Sequence, residues 1–221
     1  MRRFWVPEAL QAGAVVTFDD ALQHRLRHVL RLGAGDVVGL WNGRDGWWEA
    51  RLNDDKARAA TVGQQRAAQP LAHGPVVVVG LPKREAWELV LRQATELGAR
   101  AIVPLKTAFA QVGKINPARV QAIVQEAAEQ CERLTLPEVP APQPLPAWLA
   151  AQTTPLLWLD ARGTAGAWPT GVSTVLVGPE GGFSPEEEAL LAAHSLVRRV
   201  TLPTPVLRVE TAVVATLGRL A

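Results

Sequence analysis

Val76-Val77-Val78-Val79-Gly80-Leu81 is an unbroken apolar run. A strand with water on one side alternates apolar and polar residues. One that does not alternate is buried on both faces, as in a parallel sheet layered between helices. Residues 156–159 and 174–177 are also apolar runs, and residues 101–104 and 199–202 read as further short strands. Between them lie segments of helical period. Trp87, Val90, Leu91, Ala94 and Leu97 make one stripe, stopped by Gly98. Val120, Ile123, Val124, Ala127 and Cys131 make another over residues 117–133, and residues 210–220 form a last apolar helix. Strands alternating with helices imply a mainly parallel α/β sheet covered on both sides. The proline-rich residues 137–146 read as an excursion from it.

The first third has a different texture. Asp19 or Asp20 can cap a helix over residues 21–32, ended by Gly33. Strand-like pieces follow at 36–41, 46–52 and 58–62, joined by turns holding Asn42-Gly43 and Asp45-Gly46. This suggests a small β-barrel with one embedded helix. Residues 64–75 read as a linker.

Of the turns, Val177-Gly178-Pro179-Glu180-Gly181-Gly182-Phe183-Ser184-Pro185-Glu186-Glu187 is the most informative. It runs from a strand into a helix that starts with an N-cap Ser, a Pro at the first position and a Glu completing a capping box. In α/β sheets, ligands bind beyond the strand ends, where turn amides and helix N-termini face the crevice. The glycines fit a cofactor pocket, and they equally fit an ordinary turn that needs positive φ.

The 21–35 segment carries His24, Arg25, Arg27, His28 and Arg31 and no acid. His24, Arg27, His28 and Arg31 share the polar side of the expected helix, either to contact RNA phosphates and bases or as a solvated face. Leu207-Arg208-Val209-Glu210-Thr211-Ala212 opens the last helix. Glu210 can cap it, while Arg208 can reach the crevice of residues 178–182, aimed at an anionic substrate group. Glu129 and Arg133 have ion-pair spacing, and Cys131 reads as a small buried apolar residue.

Composition excludes several classes. The single cysteine allows neither an internal disulfide nor a cysteine-rich zinc site, so no metal is expected. No apolar run approaches the roughly 18 residues of a membrane span. Pro7 and Glu8 interrupt the basic N-terminus before any signal-peptide core, so a cytoplasmic protein is expected. The phosphate-loop and dinucleotide glycine patterns are both absent.

The segments from His24 to Asp36, Leu81-Pro82-Lys83, Gln93 to Gly98, Glu126 to Arg133 with Pro137-Glu138, Gly178 to Ser184, and Leu207 to Ala212 occur in this order over nearly the whole chain. Together they resemble the ribosomal small-subunit RNA methyltransferase E family, of the SPOUT class. The resemblance implies a PUA-like RNA-binding β-barrel over residues 1–70. It implies a SPOUT-type α/β knot over residues 75–221, with a C-terminal trefoil threading. It further implies a homodimer that uses S-adenosyl-L-methionine to methylate N3 of a uridine in 16S rRNA of the small ribosomal subunit. By position, the cofactor would be held by Leu159 and Asp160, by Val177, Gly178, Pro179, Glu180, Gly181 and Gly182, and by Leu202, Pro203, Val206 and Leu207. Lys83 and Arg84 would join His24, Arg27, His28 and Arg31 in binding RNA. Arg208 would stabilise negative charge developing on the base, with Glu180 or Glu210 as the base; both carboxylates equally suit turn and capping roles.

Two departures from the family pattern stand out. Pro203 and Pro205 replace a Gly and an Arg before Leu207, which removes an amide donor. Thr107-Ala108-Phe109-Ala110 lacks an Arg-Ser pair usual after the second strand of the sheet. Methylation of another RNA such as tRNA, an RNA-binding protein with weakened catalysis, and an unrelated α/β enzyme for a phosphorylated metabolite are the alternatives.

Overall fold

The computed structural model describes residues 1–111, 114–163 and 168–220. The chain divides into two compact units, Met1–Leu71 with Ala128–Leu136, and Ala72–Ala127 with Pro137–Ala221.

In the first unit, β1 (Arg3–Trp5), β2 (Val15–Thr17), β3 (Val37–Trp41), β4 (Trp47–Leu52) and β5 (Ala59–Ala67) form a sheet in the order β1-β3-β4-β5-β2. Register shifts between β4 and β5 at Trp47 and Trp48 mark bulges, which bend a sheet and raise its twist. The sheet curls over a core that includes Phe4, Val16, Leu26, Leu40 and Leu52. β1 and β2 were not expected from the sequence, being too short to show a period. β5 extends beyond residue 62 into the expected linker, because Gln65 and Ala67 still pair with Trp48 and Trp47.

The expected helix over residues 21–32 is also different. α1 (Asp20–His24) starts under Asp19, whose carboxylate accepts the Leu22 N–H at 2.7 Å. The backbone then widens into a π-helical turn over Arg25–Val29, with the Leu30 N–H donating to the Arg25 carbonyl. Arg31 follows at φ +57°, so the helix ends before Gly33. The wider turn keeps Leu26 wholly buried while Arg25 pairs with Glu129 at 2.7 Å. Glu129 also accepts the Trp5 N–H, so it is not committed to Arg133, whose guanidinium donates to the Thr135 hydroxyl.

In the second unit, β6 (Val76–Gly80), β7 (Ala101–Lys106), β8 (Gln143–Pro144), β9 (Leu156–Leu159), β10 (Thr174–Val177) and β11 (Val197–Val200) form a sheet in the order β11-β9-β10-β6-β7-β8. Every pairing in it among the described residues is parallel. One face carries Val78, Leu105, Trp158 and Leu176 in a core with Leu145, Leu149 and Leu191 of α4 (Leu145–Ala150) and α5 (Pro185–Ala193). Beyond the other face, α2 (Arg84–Glu96) packs on α6 (Val209–Leu220), and α6 on β10. Val77, Val79, Val175 and Leu176 are 0% exposed, as a strand buried on both faces requires.

Three further expectations need correction. The proline-rich excursion contains β8 and α4, where Pro146 sits in the first helical turn, which lacks amide partners in any case. β11 starts two residues earlier than expected, since it pairs from Val197 to Val200 with β9 and the chain leaves the sheet at Thr201. α3 (Pro117–Gln130) ends before Cys131, which is exposed rather than buried because Glu132, at φ +58°, turns the chain away.

Candidate active site

In a parallel sheet all strands end on the same edge, so the loops after β6, β7, β9, β10 and β11 gather there. Beyond the ends of β9, β10 and β11 lies a cleft of about 600 Å³. Small-molecule pockets commonly occupy about 300–1,000 Å³. Three segments line the cleft: Trp158 to Arg162, Val177 to Phe183 with Glu188, and Thr201 to Ala212 in part.

Its floor follows from local sequence. The turn after β10 closes with the Gly182 N–H donating to the Pro179 carbonyl at 2.8 Å. Gly182 has φ +71°, a conformation costly for residues with a Cβ. The Ser184 hydroxyl accepts the Glu187 N–H, and Glu187 accepts the Ser184 N–H at 2.9 Å. The Ser184 hydroxyl also donates to Glu186, which holds that carboxyl below its ordinary range. Glu187 reaches further and accepts the Ala108 N–H at 2.9 Å, fastening the loop after β7 to the head of α5. β6 and the turn meet at bare backbone: a Cβ on Gly80 would lie 2.5 Å from Pro179 Cδ.

One side of the cleft is ionic. Asp160 is 6% exposed and pairs with both Arg199 and Arg162. Arg162 also binds Glu188, and the two carboxylates raise its pKa. The Arg199 guanidinium stacks 5.2 Å over the Trp158 ring. None of Arg162, Glu188, Arg199 or Trp158 stood out in the sequence, and Phe183 entered only as a member of the Gly178–Ser184 segment. A buried aspartate with two arginines is separated along the chain by up to 39 residues (199 − 160) and leaves no periodic signal.

Of the expected cofactor residues, Leu159, Asp160, Val177, Gly178, Pro179, Glu180, Gly181, Gly182, Leu202, Val206 and Leu207 all line this one cleft. Pro203 does not. It sits at the centre of a tight turn in which the Thr204 N–H donates to the Leu202 carbonyl at 2.8 Å. Proline's fixed φ suits that position, and its missing N–H is not needed there. Arg208 lines the cleft and is exposed; among the described residues no carboxylate pairs with it.

The two candidate bases separate. Glu180 is on the cleft, but one of its oxygens accepts the Lys83 N–H at 3.0 Å, where it caps α2. Glu210 lies in the first turn of α6 and is not part of the lining. Lys83 is exposed; Arg84 pairs with Glu88, which Arg119 binds more closely at 2.6 Å. His24, Arg27, His28 and Arg31 belong to the first unit and are all exposed, with the His24 and His28 rings 4.8 Å apart. Arg31 falls beyond the helical turn rather than on it. Among the described residues no group of three or more His, Cys, Asp or Glu is placed to hold a metal ion, and no helix is long and apolar enough to cross a membrane.

Residues 72–221 match the RNA methyltransferase domain family, and residues 18–62 match the RNA methyltransferase PUA domain. A ribosomal RNA small subunit methyltransferase E of Synechocystis is 34% identical over 86% of this chain and 71% of its own length. One of Mycobacterium bovis is 31% identical over 97% and 89%. The chain belongs to the ribosomal RNA small subunit methyltransferase E family. The family also has a crystallised member from Neisseria gonorrhoeae bound to S-adenosyl methionine; its fold superposes with a TM-score of 0.84 at 28% identity, covering 99% of this chain and 96% of that one. Within the family's architecture, the cleft beyond β9, β10 and β11 occupies the crevice that the parallel sheet offers for a ligand.

Proposed function

We propose that this protein transfers a methyl group from S-adenosyl-L-methionine to N3 of a uridine in the 16S rRNA of the small ribosomal subunit, working as a homodimer whose C-terminal segment is threaded as a trefoil knot. The observation that carries this reading is the cleft itself. Three loops known to the sequence only as separate motifs line one cavity of about 600 Å³ at the sheet's C-terminal edge, in a chain of this family.

The lining fits the cofactor's chemistry. Trp158, Leu159, Val177, Phe183, Leu202 and Leu207 offer apolar surface for a purine, and Glu180 offers negative charge for a cationic group. When bound there, the cofactor supplies an electrophilic methyl on a sulfonium. The protein's work is then orientation and charge. Arg208 stabilises negative charge on the base oxygens as the N3 proton leaves; its position on the lining, without a carboxylate partner among the described residues, supports this role. Glu180 is the candidate base on the lining. Its Oε1 is taken by the Lys83 N–H, so Oε2 is the oxygen available for the proton. Glu210 serves instead in the first turn of α6, where a negative charge suits the helix dipole. The uridine must be unpaired or extruded to reach such a cleft. In the first unit, His24, Arg27, His28 and Arg31 hold the RNA, and Lys83 does so beside the cleft.

The test incubates the protein with labelled S-adenosylmethionine and small subunits lacking the modification, then maps methylated nucleosides by mass spectrometry. A single 3-methyluridine is the expected product. Label in tRNA, or at another atom, refutes the substrate assignment; absence of cofactor binding refutes the reading of the cleft.

A further inference from the structure

Phe109 is an aromatic ring on a tethered loop, left open beside the cleft. Its side chain is 44% exposed, although isolated exposed apolar residues are common and by themselves mean little. What sets it apart is its mounting. On either side of it the Ala108 N–H donates to Glu187 and the Gln111 N–H donates to the Leu81 carbonyl at 2.9 Å. The Ala110 N–H closes a turn on Thr107, and the Gln111 amide donates to the Phe109 carbonyl itself at 3.0 Å. A loop tethered to α5 and to the end of β6 cannot swing the ring into the core. The ring's root packs on Gly181: a Cβ there would lie 3.1 Å from Phe109 Cβ, so bare backbone admits the phenyl group. Gly181 lines the cleft, and Phe109 does not.

Two lysines belong to the segments that hold this loop. Lys106 immediately precedes the loop and Lys83 follows β6, its N–H on Glu180 next to Gly181; both are exposed, and neither has a carboxylate partner among the described residues. Of the neighbouring acids, Glu187 has both oxygens engaged by backbone N–H groups and Glu180 has one taken by the Lys83 N–H. An exposed aromatic face on a tethered loop, with exposed lysines on the adjoining segments, is the chemistry that holds single-stranded nucleic acid, with a base stacked on the ring and phosphates on the ammonium groups.

We propose that Phe109 is a stacking platform for an unpaired nucleobase of the RNA, with Lys83 and Lys106 of the adjoining segments as phosphate contacts. This deepens the methyltransferase reading and rests on it: a base stacked on Phe109 sits against the Gly181 edge of the cleft, which positions the adjoining strand at its mouth. The ring acts by binding substrate and takes no part in methyl transfer.

The test compares wild type with Phe109→Leu and Phe109→Trp. Affinity for a short single-stranded oligouridylate is measured by filter binding, and affinity for S-adenosylmethionine by calorimetry. Leucine keeps apolar contact with Gly181 and removes the π-face. It should weaken RNA binding by about 5- to 150-fold, the range for loss of one base–aromatic stack, with cofactor affinity unchanged, and tryptophan should retain binding. RNA affinity of Phe109→Leu equal to wild type overturns the proposal. So does a parallel loss of cofactor affinity, which would make Phe109 a packing residue for Gly181, and so does wild type that does not bind the oligonucleotide. Wild type that binds RNA but transfers no methyl group defeats the catalytic reading, while the leucine comparison still decides the stack.

Discussion

Replacing Gly80 by Ala adds one methyl group at the junction between β6 and the turn that floors the cleft. The new Cβ would lie 2.5 Å from Pro179 Cδ and 3.0 Å from Pro179 N. Non-bonded carbons rest at about 3.5–4.0 Å, so the overlap is about 1 Å. A pyrrolidine ring cannot rotate aside as a long side chain would. The Pro179–Gly182 turn must therefore move by a similar distance, or the pairing of Val177 with Val79 must open. Overpacking of this kind costs about 1–3 kcal/mol, offset by about 0.4–1 kcal/mol from the stiffer unfolded chain. At about 2–4 °C per kcal/mol for a chain of this size, the melting temperature should fall by up to about 10 °C. Affinity for S-adenosylmethionine should fall with it, because Val177 to Gly182 line the cleft. Thermal unfolding and titration calorimetry measure the two effects. The decisive comparison uses a Pro179→Ala background, where the ring is gone and Gly80→Ala should cost less; coupling between touching residues is about 0.5–3 kcal/mol. An unchanged melting temperature and affinity, or an equal cost in both backgrounds, would refute the reasoning.

Arg208→Ala should lower single-turnover methyl transfer by about 10²- to 10³-fold, the usual effect of removing one donor to developing charge, while cofactor affinity measured by calorimetry stays the same; normal turnover would exclude Arg208 from charge stabilisation. Glu187→Ala removes the acceptor of both the Ser184 and Ala108 N–H groups, and should cost about 1–2 kcal/mol as a lower urea midpoint with unchanged slope. Asp45 accepts the Leu10 N–H at 2.9 Å and the Asn42 amide at 2.6 Å, which hold its carboxyl below the ordinary range. A depressed carboxyl stabilises the fold above its unfolded pKa, about 3.9, and that contribution is lost as pH falls through the lower folded value. The stability gap between wild type and Asp45→Ala should therefore be widest near neutrality and close in acid, as read from urea midpoints across pH.

The sheet of the second unit was legible because burial on both faces writes itself into residues 76–81 as a run with no polar interruption. The start of α5 was legible for a local reason: Ser184, Pro185 and Glu187 satisfy one another within four positions. The three cleft segments could be named one by one, but their meeting in a single cavity depends on β10 pairing between β6 and β9, a long-range fact. Asp160 was named from the sequence, but its pairing with Arg162 and Arg199 was missed for the same reason. The π-helical turn over Arg25–Val29 was missed because it answers to Leu26 in the core and Glu129 far along the chain, while the local periodicity fits an ordinary α-helix. β1 and β2 borrow their regularity from β3 and β5, and three residues carry no pattern of their own.

The place of β10 also sets a schedule. β7 pairs with β6 and β8, and β9 pairs with β11, and among the described residues only β10 joins the two sets. Until residues 174–177 have been synthesised and docked, Val76 to Val79 present an unpaired valine edge, the kind of surface that recruits other strands into aggregates. Parallel pairings this distant in sequence also form slowly. The nascent protein is thus most exposed to misassembly late in translation, and truncations that end before Thr174 should be insoluble even though they contain most of the chain.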